Sequence, residues 1–349
     1  MRIAISGAVV RFVAFLSLFS LGCGPDFDPP SELHSLRVLG VQKDVPYAQP
    51  GETVNLQMLW QDASLQAGRA VQIVWSPGCF NPPGDLYYAC FANPETFGGM
   101  VKADPLNPER TSLEIPQDIV RPSDGSNNAP YGLTYVFFAI CAGELTLLPS
   151  SGGTAFPIGC KDASGKLLGA DDFVAGYTSI YSFKGFSNHN PVIKGFEFRG
   201  QKLPESAFCL GEDCLAQAGS APPADVECDD PEQSARCVPA CADDGDPACP
   251  AYGFLPTIDK TDSDNQDIDD VSAAQLGRTV GEQMWINYYT DAGGFQSPLR
   301  LLNDATNGWN DDYGTEFYAP KEPGLSRIWA VVHDNRGGMS WSGITLKVQ

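Results

Sequence analysis

Residues 50–60 read Pro50-Gly-Glu-Thr-Val-Asn-Leu-Gln-Met-Leu-Trp60. After a Pro-Gly turn every second side chain is apolar, so Val54, Leu56, Met58 and Trp60 line one face of an extended segment and Asn55 and Gln57 the other. A period of two marks a strand with one face on a core. The same signature recurs, rich in β-branched and aromatic residues, at 70–75, 111–115, 131–142 and 177–183. Thirty-six glycines and 28 prolines supply turns between short strands. One short helix is expected over Val271–Leu276, with Asp269 and Asp270 at its start. The fold class is therefore all-β, of the sandwich type.

A weak internal repeat extends this reading. Pro50–Trp60 aligns with Val280-Gly-Glu-Gln-Met-Trp-Ile-Asn-Tyr-Tyr-Thr290, with Met284, Ile286 and Tyr288 matching Val54, Leu56 and Met58. First strands precede each, at Leu36–Val41 and Val192–Phe198. Late aromatic strands follow, at Tyr131–Gly143 and Gly324–Asp334, and the second runs through Asp334-Asn-Arg-Gly-Gly338 into a hairpin strand Met339–Val348.

This order of elements resembles the immunoglobulin-like domains of bacterial surface lipoproteins of the myxobacterial type. The resemblance spans 33–185 and 188–349, with Asn188-His-Asn-Pro191 as linker, and implies two tandem sandwiches. Neither Gly-Glu strand carries a cysteine. The expected form is thus a generic Ig-like, fibronectin-like or PKD-like sandwich rather than the antibody type.

The N-terminus carries Arg2 and Arg11, an apolar run from Phe12 to Gly22, and then Cys23-Gly-Pro-Asp. That is the layout of a secretory signal, 1–22. Ser20-Leu-Gly-Cys23 resembles the lipobox of bacterial lipoproteins, which implies acylation of Cys23 (palmitate being a typical chain), with the Pro-rich residues 23–32 as a tether. The resemblance implies a cell-envelope protein of the outer membrane, facing periplasm or surface. A retained membrane-spanning segment is the alternative. Without residues 1–22 the chain has 20 basic and 43 acidic residues, a net charge of −23, which excludes nucleic-acid binding.

Setting Cys23 aside leaves Cys79, Cys90, Cys141, Cys160, Cys209, Cys214, Cys228, Cys237, Cys241 and Cys249, an even set suited to five disulfides in an oxidising compartment. Cys79/Cys90 and Cys141/Cys160 are the simplest local pairs. The other six lie in an acidic, Pro-rich stretch read as a disulfide-stapled insertion, 207–270, and permit 15 connectivities. Cys237-x-x-x-Cys241 also has zinc-ligand spacing, but without a nearby histidine disulfides are the expectation.

Residues 225–270 hold 14 Asp/Glu against Arg236 and Lys260. Asp262, Asp264 and Asp267 offer alternating oxygen ligands of the kind Ca²⁺ takes, although Asp267 stands where an EF-hand needs Gly and Ala273 where it needs Glu. A calcium site and a solvated acidic loop both remain open; no other cofactor is expected. His34, His189 and His333 belong to no metalloprotease pair, and no nucleophile elbow or phosphate-binding loop is present. Among the aromatics, most tryptophans read as core, and Trp309 in Asn307-Gly-Trp-Asn-Asp-Asp312 is the candidate for an exposed ligand-binding ring, the other reading being a lid over the sandwich end. The functional expectation is a non-enzymatic, membrane-anchored binding, adhesive or scaffold module whose partner is an envelope protein or a glycan. The alternative is a carbohydrate-active or other hydrolytic enzyme using loop carboxylates.

Overall fold

In a computed structural model the described residues are 29–349 without 65–67, 93–100, 105, 123–128, 149–155, 220–224, 242–248 and 263–268. Cys23, Asp264 and Asp267 lie outside them. Residues 31–349 form one compact unit.

The chain is all-β. In the first half, Leu36–Lys43, Thr53–Asp62 and Arg110–Glu114 make one sheet, while Tyr47–Ala48, Phe173–Phe183, Tyr131–Cys141, Gln72–Trp75 and Val101–Lys102 make the other, in those orders. Val54, Leu56 and Met58, as their spacing predicts, meet Trp75, Val136, Phe138 and Ile140 from the facing sheet in one core. The second half repeats the plan. Ile193–Phe198, Ala251–Ile258 and Thr315–Tyr318 correspond to the first sheet. Cys237–Val238, Met339–Val348, Gly324–Asp334, Met284–Thr290 and Leu299–Asp304 correspond to the second. Each half even has the same parallel pairing of a two-residue strand on its last long strand.

This order corrects the repeat. Thr53–Asp62 is flanked by a first strand and a short return strand, and so is Ala251–Ile258. Met284–Thr290, aligned with it by sequence, instead pairs directly with Gly324–Asp334 and occupies the position of Gln72–Trp75. The local likeness of two Gly-Glu turns carries no information about pairing partners, which long-range packing selects. The true counterpart lies within the stretch read as insertion, and its alternation of Tyr252, Phe254, Pro256 and Ile258 was legible there. Residues 207–270 thus contribute a core strand, and Phe208–Leu210 and Cys237–Val238 also pair with Met339–Val348.

The ten cysteines form five disulfides, each between sequence neighbours: Cys79–Cys90, Cys141–Cys160, Cys209–Cys214, Cys228–Cys237 and Cys241–Cys249. The helix Asp270–Leu276 forms where expected, capped by the Asp269 carboxylate on the Ser272 N–H and ended by Gly277 at φ 66°.

The halves share a third core. A bulge between Val38 and Gly40 resets the alternation of the first strand, so Leu36 and Val41 enter the first core while Leu39 points the other way. Leu39 and Leu59 meet Trp329, Val331 and Trp341 on the outer face of the second sandwich, with Cys209 and Cys214 beside them. A Cβ on Gly40 would collide with Met339 Sδ, so glycine permits this approach. Asn188–Pro191 is not a free linker: Asn188 Nδ2 donates to Asp334 Oδ2 at 3.0 Å, and Asn190 Nδ2 to the Lys43 carbonyl at 2.7 Å.

Candidate functional site

The outward positions of the two longest strands of the first half are aromatic. Antiparallel pairing sets Tyr177 opposite Phe137, Tyr181 opposite Leu133 and Phe183 opposite Tyr131, so these residues share the face turned away from the first core, where Leu133, Phe137 and Phe183 are covered and Tyr177 and Tyr181 are not. Tyr177 and Tyr181 are 46% and 38% exposed, far more than a core reading allows. Tyr87 stacks on Tyr177 (4.7 Å between centroids, 20° between planes), Tyr135 meets Tyr177 edge-on at 5.3 Å, and Tyr131 packs on Tyr181 at 5.9 Å. Two groups of phenol rings, Tyr87/Tyr135/Tyr177 and Tyr131/Tyr181, together make a track along this face.

The loop carrying Tyr87 is held rigidly. Cys79–Cys90 closes it, and Asn81 and Asp85 take left-handed φ of 46° and 57°. Such strain in non-glycine residues persists only where surroundings impose it. Asn81 donates from Nδ2 to the Ile119 carbonyl at 2.7 Å and accepts from the Leu133 N–H at 3.0 Å. Asp85 receives Arg121 Nη2 at 2.6 Å and the Tyr131 hydroxyl at 2.5 Å, while its carbonyl accepts from the Tyr135 hydroxyl at 2.9 Å. Arg121 holds the Asp85 carboxyl below its usual range, and the bond to Asp85 pushes the Tyr131 hydroxyl up to about 12.

At one end the track opens into a cavity of about 370 Å³ between the halves, lined among others by Tyr47, Tyr131, Tyr181, Phe183, Gln275 and Arg336. The Arg336 guanidinium lies 5.7 Å over the Tyr47 ring and meets Glu282 Oε2 at 3.1 Å. Asp334 braces this corner: its Oδ1 accepts from the N–H groups of Arg336 and Gly338, both at 2.7 Å. Nearby, Lys43 is buried and donates to the Ser179 carbonyl at 3.0 Å; burial lowers its pKa to about 8 against the opposing pull of Asp334. Arg69 ties Asp62 (2.8 Å) to Asp172 near the opposite end of the strand Phe173–Phe183.

His333 stacks on Trp285 (5.2 Å, 9°), and burial, with the Lys43 charge, lowers its pKa to about 4. Because the unfolded histidine, near 6.5, binds its proton first, stability is full above that pH and falls as pH drops toward 4. The loss is expected to be on the order of 2–3 kcal/mol. Urea denaturation at pH 7.5, 5.5 and 4.5 checks this; His333→Phe, which keeps a ring against Trp285, should lose less between pH 6.5 and 4 than the wild type does.

The other sequence candidates lie elsewhere. Trp309 is half-buried against the second core, edge-on to Tyr313 at 6.2 Å, in the manner of a lid. Asp262 meets Lys194 Nζ at 2.8 Å. Among the described residues, no group of three or more His, Cys, Asp or Glu is placed to hold a metal. The tyrosine track was missed although its alternation was visible, in Tyr131, Tyr135 and Phe137 and in Tyr177, Tyr181 and Phe183. Aromatic alternation reads equally as core until the second sheet is seen to cover the opposite faces.

No family model matches the chain, and no curated protein matches it. Among solved structures, the native conformation of E. coli alpha-2-macroglobulin is similar at 10% identity and a TM-score of 0.22, covering 93% of this chain. The chain spans 16% of that protein's length.

Proposed function

We propose that the chain is a lipid-anchored binding module of the bacterial cell envelope, acting without catalysis through the tyrosine track. The observation that carries this reading is the position of the track relative to the start of the folded unit. The chain enters that unit at Ser31–Leu36, where Leu33 donates to the Thr290 carbonyl and Leu36 to that of Asp171. Phe173–Phe183 begins beside this point and runs about 33 Å to the cavity. Within the folded unit Tyr181 and the cavity therefore lie toward the end of that strand opposite to where the chain enters, which suits a binding face on a module tethered at its N-terminus. The disulfide-closed loop supports the same reading, because a preorganised platform loses little entropy on binding.

Anchoring is tested by detergent partitioning. Cys23→Ser is expected to move the protein from the detergent to the aqueous phase; unchanged partitioning would assign anchoring to the apolar segment itself. Binding is tested with soluble protein starting at Gly24, applied to isolated envelopes: it should adhere, and Tyr177→Ala/Tyr181→Ala should not. Equal adhesion of both would remove the track from the function.

A further inference from the structure

We infer that the tyrosine track and its cavity form a binding site for an extended neutral oligosaccharide. This deepens the binding reading above and rests on it. From Tyr177 to Tyr181 the exposed rings extend about 13 Å along one strand, and with the cavity beyond Tyr181 they make a linear platform rather than a closed pocket. Its floor is aromatic, which suits ligands with flat C–H faces. Its rim carries groups that pair with hydroxyls: the phenols and, at the cavity, the amides of Gln275 and Asn335, with the buried Arg336 guanidinium behind them.

Charge narrows the class. Arg121 lies 5.8 Å over the Tyr131 ring and Arg336 5.7 Å over Tyr47, so two ring faces already hold a cation and disfavour a cationic ligand. Each arginine is balanced by a carboxylate, Asp85 at 2.6 Å and Glu282 at 3.1 Å, which leaves no surplus positive charge for an anion. A chain of net charge −21 further repels polyanions. An uncharged, polyhydroxylated ligand is what remains. A proline-rich peptide also seeks aromatic grooves. It is the alternative occupant that the experiment below separates from a glycan.

Titration calorimetry of the protein from Gly24 with cellohexaose, maltohexaose and chitohexaose tests this. At least one neutral hexasaccharide is expected to bind, and Tyr181→Ala or Tyr177→Ala should weaken it at least about tenfold, as loss of a central aromatic anchor does. Tyr181→Phe, which keeps the ring, should stay within about threefold. Both alanine variants change exposed side chains, and unaltered circular dichroism will confirm that they fold. No heat with any hexasaccharide, while envelope adhesion persists and is abolished by protease, would overturn the glycan assignment and leave the binding module standing. Preferential binding of a heparin hexasaccharide or a proline-rich peptide would also overturn it. Loss of envelope adhesion together with glycan binding in the wild type would remove both.

Discussion

Trp341→Ala should destabilise both sandwiches together, by about 3–5 kcal/mol. The indole is 1% exposed and stands in the core shared by the two halves, against Leu39, Leu59, Trp329 and Val331. Its Nε1 also donates to the Gly211 carbonyl at 2.7 Å, tying in the cysteine-rich segment. Removing it opens a cavity between layers that cannot collapse without shifting two sheets. Amide hydrogen exchange under mild urea provides the check. Protection of Val136–Ile140 in the first half and of Ile328–Val332 in the second should fall by the same free energy. A loss restricted to the second half would show that the sandwiches open independently, as tandem domains with small interfaces do.

Glu282→Ala is expected to cost about 3–5 kcal/mol as well, through charge rather than volume. Glu282 is 0% exposed and meets the Arg336 guanidinium at 3.1 Å, the arginine side chain being 2% exposed. Deleting the carboxylate leaves a positive charge in an environment of low polarisability, which is far less favourable than losing one exposed ion pair. The double variant Glu282→Leu/Arg336→Met should recover most of the stability, since both charges leave together. Denaturation of the wild type, Glu282→Leu, Arg336→Met and the double variant in a double-mutant cycle gives the coupling. A double variant no better than Glu282→Ala would mean that Arg336 acts chiefly through its bond to the Ser187 carbonyl and its contact with Tyr47.

The two variants probe one design feature from different sides. The cavity at the end of the tyrosine track draws Tyr47 and Phe183 from the first half and Arg336 from the second. Its shape therefore depends on the shared core and on the corner braced by Asp334. Loosening that junction should weaken the glycan binding proposed above even though no ring of the track is altered.

Much of this was written in the sequence. Alternation over Thr53–Asp62 identified a strand and its core face, and the aromatic runs over Tyr131–Cys141 and Gly324–Asp334 identified strands, because a strand's side-chain period is set by backbone geometry. Asp269 and Asp270 marked the start of the helix, where Asp269 satisfies a backbone N–H locally. The even number of cysteines beyond Cys23 announced five disulfides, and the two local pairs named for the first half are those that form. What tertiary structure decided was everything that depends on which surfaces meet. The repeat was out of step by one strand because two similar turns carry no record of their hydrogen-bonding partners. Leu39 changes sides through a bulge that composition does not announce. Asn188 and Asn190 look like a linker but are bound into the junction. Trp309 and Tyr181 are both aromatic residues near polar neighbours, yet one is covered by Tyr313 and the second core while the other is 38% exposed. Local periodicity is a property of the chain; exposure is a property of what packs against it, and that is set only when the sheets come together.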